Sequence, residues 1–336
     1  MRVLAILTVR NEGSFLLEWL AHHRAAGITD FLVFSNDCTD GTDAMLDRLA
    51  EMGWLTHIRN DGPHENGPQW AALKTAATHP LLTAADWAIV MDVDEFVNIH
   101  VGDRTIAALL DTLPNADAIT LTWRMFGNAG IVNLVDAPVT ESFRFAAPDP
   151  LHWPWRAVMF KTLFRTGAGF GHPGVHKPKG QGGKGLRWYD SAGRSLPMGP
   201  ERIFARLGEP NYTLAQLNHY ALGSMEGYIV KADRGRANRD SSAFDLGYWV
   251  DRNFCDVPDG SITQLSSRAI RDALLSDPGL ARLHHDAFAW RTDRFRLLMR
   301  QEEWRALFGR LLMCRPTRSL SGPEARLVWS HARQSD

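Results

Sequence analysis

Five short apolar runs, at residues 3–9, 30–36, 55–60, 87–93 and 118–126, alternate with stretches of helical periodicity at 14–27, 40–53, 68–85 and 105–114. Strands separated by helices of ten or more residues cannot pair as hairpins. Each crossover must pack back on the sheet, which gives a mostly parallel sheet with helices on both faces. The punctuation agrees: Gly27 and Gly53 close the first two helices, Asp40 or Thr42 opens the second, and Pro80 limits the third. Ligands of such sheets bind outside the carboxyl ends of the strands. Three of those ends are polar here: "TVRNE" after the first strand, "SNDCTDGT" after the second and "DVDE" after the fourth.

After residue 127 the alternation stops. "SFRFAAP" and "AVMFKTLFR" read as strands of a mixed β extension, and 167–185 as a Gly/Pro/Lys loop too polar and flexible to form core. A strand or turn is expected around His219 with a basic helix after it, and the tail from about 262 reads as two helices.

The formal net charge of -1 supplies no field to draw the chain to nucleic acid. Cys38, Cys255 and Cys314 are too far apart for a ligand-spaced pair, which argues against a zinc site and suits a reducing compartment. The N-terminal apolar run is too short for a signal sequence, and no run reaches the roughly 18–20 apolar residues a span requires. A cytoplasmic protein is expected. Residues 291–318 hold eight arginines and three acids at amphipathic spacing, a pattern that fits a packing helix or peripheral contact with an anionic membrane. Several of the twelve tryptophans cluster at Trp123, Trp153, Trp155 and Trp188, a composition that suits sugar faces as well as core.

The fourth strand ends in Asp92-Val93-Asp94-Glu95. Carboxylates at the end of a buried strand are costly unless something positive meets them. No Gly-x-Gly-x-x-Gly turn follows the first strand and no lysine phosphate loop exists, so glycine backbone alone does not hold phosphate here. A hard divalent cation, Mn²⁺ or Mg²⁺, takes carboxylate oxygens and fills its shell with diphosphate oxygens and water. The cluster therefore points to a metal carrying a nucleotide diphosphate.

With these motifs in place the chain resembles a GT-A-type glycosyltransferase, of the family 2-like bacterial branch that is similar to glycosyltransferase family 92. The residues that carry the resemblance are "LTVRNEGSFLLEWLAHHRAAGITDFLVFSNDCTDGT", "WAIVMDVDEFV", "WRMFGNAG", "VTESFRF" and "LNHYALGSMEGYIVKADRGR", spanning roughly 3–236. It implies a Rossmann-like nucleotide-sugar-binding and catalytic domain over 1–240 and a helical C-terminal extension over 241–336. It also implies that Thr8, Arg10, Asn11, Glu12, Asn36, Asp37 and Asp40 hold base and ribose. The wider family 2 pattern has an Asp-Asp pair where Ser35-Asn36 stands, and Asp40 also fits a helix cap. Asp92 would contact ribose or a metal-bound water, Asp94 the metal, and Glu95 the acceptor or the metal shell. His219 would return to the metal or the pyrophosphate.

Lys231, Arg234 and Arg236 lie along one helical stretch and could neutralise diphosphate. An inverting transfer needs a general base for the acceptor hydroxyl. Glu141 and Asp190 are the candidates, with Asp149 and Glu95 behind them, and His172 and His176 could touch acceptor or phosphate. The expected function is metal-dependent inverting transfer from a nucleotide-diphosphate sugar, UDP-linked, to a glycan or lipid-linked acceptor in surface polysaccharide synthesis. The alternatives are a sugar nucleotidyltransferase, whose glycine-rich N-terminal signature is absent, and a non-catalytic sugar-binding protein on a transferase scaffold.

Overall fold

A computed structural model describes residues 1–180, 185–197, 199–235 and 245–332. The first half runs β1 (Val3–Val9), α1 (Gly13–Ala25), β2 (Asp30–Ser35), α2 (Thr42–Glu51), β3 (Thr56–Arg59), α3 (Pro68–Ala76), α4 (Pro80–Ala84), β4 (Trp87–Met91), β5 (Glu95–Ile99), α5 (Ile106–Thr112) and β6 (Ala118–Met125). The second half adds α6 (Val139–Ser142), β7 (Phe145–Ala146), β8 (Phe160–Arg165), β9 (Trp188–Asp190), β10 (Ser195–Leu196), β11 (Ala215–His219), α7 (Met225–Arg234), α8 (Leu246–Val250) and β12 (Val257–Pro258). Four longer helices follow: α9 (Arg268–Leu275), α10 (Pro278–Leu298), α11 (Glu302–Met313) and α12 (Gly322–Ala332).

The strands lie in the order β10-β9-β6-β8-β4-β1-β2-β3, with β11 joining β6 to β5. β4, β1, β2 and β3 are parallel, as the alternation requires, and β1 at their centre is buried almost throughout. The expected α/β architecture, a mostly parallel sheet with flanking helices, a mixed extension and C-terminal helices, is present.

Three departures have physical causes. The "DVDE" segment leads into β5 rather than into a helix, and β5 runs antiparallel to β11 with Glu95 opposite His219. The predicted helix over 68–85 is divided into α3 and α4, because Pro80 cannot donate to the ladder of a helix continuing from Ala76. The glycine-rich loop contributes to the core after all. His172 and Lys179 exchange backbone hydrogen bonds of 3.0 and 2.8 Å, and Phe170 and Val175 pack against the apolar layer under β1 and β2. Helix α1 is buried on nearly every side because α9 and α10 cover its outer face. The tail thus forms four helices, two of which complete the packing of the sheet domain. No helix among the described residues is long and apolar enough to cross a membrane.

Candidate active site

The turn at 92–94 closes on itself. Glu95 donates its N–H to the Asp92 carbonyl at 3.1 Å, and the Asp92 N–H donates to Glu95 Oε2 at 2.9 Å. Glu95 has no exposed surface, and burial pushes its carboxyl well above the ordinary range against the opposing pull of Lys161. It braces the turn from within, so its expected contact with the acceptor is replaced by a structural role.

The other two carboxylates each meet a lysine. Lys161 on β8 is fully buried and places Nζ 2.9 Å from Asp92 Oδ2 and 3.6 Å from Glu95 Oε1. Burial opposes its charge, but the neighbouring carboxylates outweigh burial and hold its pKa above the usual value. Gln69 on α3 donates to the second Asp92 oxygen at 3.4 Å. Asp94 accepts from Lys231 Nζ at 2.6 Å, and His219 Nε2 lies 3.5 Å from the same oxygen. Burial alone would raise the Asp94 pKa; Lys231 and His219 hold it well below the carboxylate range.

His219 reaches this point because β11 lies between β5 and β6, pairing with Glu95 on one side and Met125 on the other. Lys231 arrives on α7, whose first turn is capped by Ser224 Oγ accepting from the Gly227 N–H at 3.1 Å. Two rings complete the cluster. The Trp123 ring packs tilted against His219, centroids 4.3 Å apart, and edge-to-face against His176 at 5.7 Å. The His176 Nδ1 is 2.9 Å from the Phe160 carbonyl, and burial lowers its pKa to about 4. Trp123 Nε1 and His219 Nδ1 are buried and have no hydrogen-bond partner among the described residues.

The residues expected to hold base and ribose divide by exposure. Asn36 is buried, donating to the Val9 and Phe34 carbonyls and accepting from Asn60. Asp40 accepts from the Gly13 and Thr42 backbones and from the Thr42 hydroxyl, tying the starts of α1 and α2 together. Asn11 accepts from the Thr39 N–H at 2.7 Å. Asn11 and Asp37 both adopt left-handed backbone, with φ of 54° and 45°, which Asn and Asp tolerate better than most residues. Glu12 pairs with Arg234, which also donates to the Arg10 carbonyl at 2.8 Å, and Arg291 on α10 lies 3.8 Å from Glu12. Asn11, Glu12, Asn36 and Asp40 therefore build the loops, and Arg234 latches α7 to them instead of waiting for a phosphate. Thr8, Arg10 and Asp37 keep exposed surface at the strand ends.

Of the base candidates, Asp190 is taken by Arg194 at 2.7 Å and by two backbone N–H groups of its own turn. It sits opposite Thr120, near the start of β6 rather than at the end where Asp94 lies, so it does not belong to the site. Asp149 accepts from the Asn211 N–H at 3.0 Å. Glu141 is exposed on α6. Arg236 lies outside the described residues. Lys161, Gln69 and Trp123 join the cluster without having been singled out for it; a lysine inside the apolar run "MFKTLFR" was the one available signal.

Comparison with known proteins finds matches to part of the chain. Residues 6–147 match the family model of glycosyltransferase family 92. That segment runs from within β1 to the end of β7 and includes the whole 92–95 turn. A glycosyltransferase family 92 protein of Oryza sativa subsp. japonica is 24% identical over 149 residues, which is 42% of this chain and 24% of the rice protein. One from Ricinus communis is 23% identical over 143 residues, 40% of this chain and 24% of that protein. The chain thus spans about a quarter of the length of these relatives. Among solved structures, S. aureus TarS is 17% identical with a TM-score of 0.29, covering 49% of this chain and 28% of TarS. TarS 1–349 in complex with UDP is 16% identical with a TM-score of 0.29, covering 49% and 47%. The resemblance drawn from the motifs is borne out over the matched segment.

Proposed function

We propose that this protein is a glycosyltransferase that uses a nucleotide-diphosphate sugar, UDP-linked, and transfers with inversion in a divalent-metal-dependent reaction. The observation that carries the proposal is the meeting of Asp94, His219 and Lys231 at the carboxyl end of the parallel strands, inside a domain whose first half matches family 92. Its acceptor would be a glycan or lipid-linked sugar of a surface polysaccharide.

The donor set fits Mn²⁺ or Mg²⁺. Asp94 and the neighbouring His219 nitrogen offer one hard oxygen and one imidazole, and no group of three His, Cys, Asp or Glu side chains is assembled among the described residues. An ion held by so few protein atoms must complete its shell from water and diphosphate oxygens, the habit of a nucleotide-bound metal. When bound it would neutralise the leaving diphosphate. Asp92, tied to Lys161 and Gln69, would meet the nucleotide rather than the ion on this reading.

The chain's own residues supply the rest. Lys231 stands beside Asp94 as a second positive charge for the departing diphosphate, while Lys161 keeps the Asp92–Glu95 turn rigid. The base candidate to be tested is Glu141, which is exposed on α6; Ser142 beside it lines the cavity that opens on Asp94, while Glu141 itself lines a second pocket with His22 and Arg271.

Calorimetry of UDP binding in Mn²⁺ and in EDTA tests the reading, with Asp94→Ala alongside. The wild type should bind UDP only with metal, and the variant should lose that dependence while remaining folded. Equal affinity in both buffers would end the metal proposal. Glu141→Gln should spare donor binding and lower transfer by about 10²- to 10⁴-fold; unchanged turnover would remove Glu141 from the role.

A further inference from the structure

Beside Asp94 the structure holds a cavity of about 250 Å³. Its walls are Phe15, Val93, Ile131, Leu134, Val139 and Phe143, drawn from α1, the 92–94 turn, the 131–135 segment and the α6 region. Charged side chains reach it at four points: Glu12, Asp94, Lys231 and Arg291. All four are engaged with one another or with neighbours. Arg291 donates to the Asn11 and Gly227 carbonyls and lies over the Phe15 ring, Glu12 pairs with Arg234, and Lys231 pairs with Asp94. What the cavity offers a ligand is therefore mostly apolar wall, with Asn133, Ser142 and Ser224 as its uncharged polar points and one active-site carboxylate at its edge.

The cavity is built rather than left over. Glu18, buried in α1, accepts from the Val139 N–H at 2.8 Å, the Thr140 N–H at 3.1 Å and the Thr140 hydroxyl at 2.7 Å, which fixes the α6 wall. The 131–134 wall is pinned by Met225 donating to the Ile131 carbonyl at 3.1 Å and Leu134 donating to Glu226 at 2.8 Å. Val135, another lining residue, is 66% exposed, so apolar surface continues from the cavity to solvent. An unmodified sugar would leave most of its hydroxyls unpaired here, because Asn133, Ser142 and Ser224 are few against so much apolar wall, and each unpaired group carries a desolvation cost.

We infer that this cavity receives an apolar group carried by the acceptor, an alkyl or aryl aglycone next to the sugar hydroxyl that reacts. The inference rests on the transferase proposal for its word "acceptor", because Asp94 is shared between the two. It sorts the acceptors left open above: a sugar attached to an apolar anchor fits, and a free polar oligosaccharide does not.

The experiment uses the full chain and a series of glucosides: methyl, butyl, hexyl and phenyl. Each is titrated by calorimetry below its micelle concentration, with and without UDP and Mn²⁺. Affinity should rise about fourfold for each methylene the cavity takes up, until the cavity is full. The phenyl arm separates an aryl from an alkyl aglycone by whether it binds above or below the butyl compound. Leu134→Trp, which fills the cavity, and Val135→Asp, which charges its exposed mouth, should each flatten the series and leave UDP binding unchanged. An affinity independent of chain length overturns the inference. So does a slope that persists in both variants, since binding would then lie elsewhere. Chain-length dependence in a protein that binds no UDP overturns the acceptor assignment, and UDP binding without chain-length dependence leaves the transferase proposal standing while the cavity inference falls.

Discussion

Lys231→Met separates two demands on the Asp94 carboxylate. The ammonium is 2.6 Å from Oδ2, so a divalent cation approaching that oxygen must displace it or share it. A hydrogen bond to a charged group is worth roughly 1.5–3 kcal/mol net. The two side chains are 13% and 22% exposed, which lets water screen part of the attraction and favours the lower bound. Removing a competitor of about 1.5 kcal/mol should raise the affinity for Mn²⁺ alone about tenfold. The same substitution takes a positive charge from the diphosphate, and UDP binding at saturating Mn²⁺ should weaken by about tenfold on the same estimate. Opposite signs at one residue distinguish this account from a structural lysine, whose loss would weaken both. Methionine keeps the length of the side chain, but the bond to the Ala221 carbonyl at 2.7 Å is also lost. A denaturant midpoint must therefore show that the variant is folded under the titration conditions. Calorimetric titration of Mn²⁺ alone, then of UDP in Mn²⁺, gives both numbers. An Mn²⁺ affinity that falls or stays constant in a folded Lys231→Met protein refutes the reasoning.

Two further outcomes are expected. His219→Ala should weaken UDP more than uridine, because the ring faces the Asp94 end of the site; equal weakening of the two, measured by competition, would make His219 a packing residue. Although buried Glu18 and Glu95, held above the ordinary carboxyl range, act with the opposite sign, His22 should cost stability between pH 6.5 and 4: burial lowers it to about 4 from 6.5, so the unfolded chain takes up a proton that the native state refuses. That contribution is complete above pH 6.5 and reaches about 3 kcal/mol of lost stability near pH 4. His23 acts with the same sign, and His22→Gln should reduce the slope of the denaturant midpoint against pH.

The parallel half of the fold was legible because each element there is determined locally. "VLAILTV" is too short for a buried helix and fits a strand buried on both faces, and a glycine or proline closes most of the helices between strands. β5 was missed for a related reason. "EFVNI" begins with the same acid that ends the "DVDE" turn, so a strand and its preceding loop share residues and the run looks too short to stand alone. Glu12, Asn36 and Asp40 were read for their chemistry, yet the same polar atoms suit loop building. Their partners at Arg234, Asn60 and Gly13 come from elements whose approach no local pattern encodes.

The acidic cluster shows where legibility stops. Three carboxylates at a buried strand end require positive charge, and desolvation gives that requirement its sign and its place. It does not give the carrier. A metal was the economical choice in sequence, since no cation lies near 92–95 along the chain. The fold instead brings Lys161 from 69 residues away and Lys231 from 137, each onto one carboxylate. Their arrival depends on β8 being inserted antiparallel between β4 and β6, and on α7 following β11 at the far side of the turn. The two lysines are not equivalent. Lys161 is fully buried against Asp92 and Glu95, so its charge serves the resting structure. Lys231 borders the cavity and faces the carboxylate that has His219 beside it, so on the proposed reading its charge would pass from Asp94 to an incoming diphosphate. On that reading a metal and a lysine on one carboxylate would compete until a diphosphate separates them, which is why the sign of the Lys231→Met effect should depend on the nucleotide.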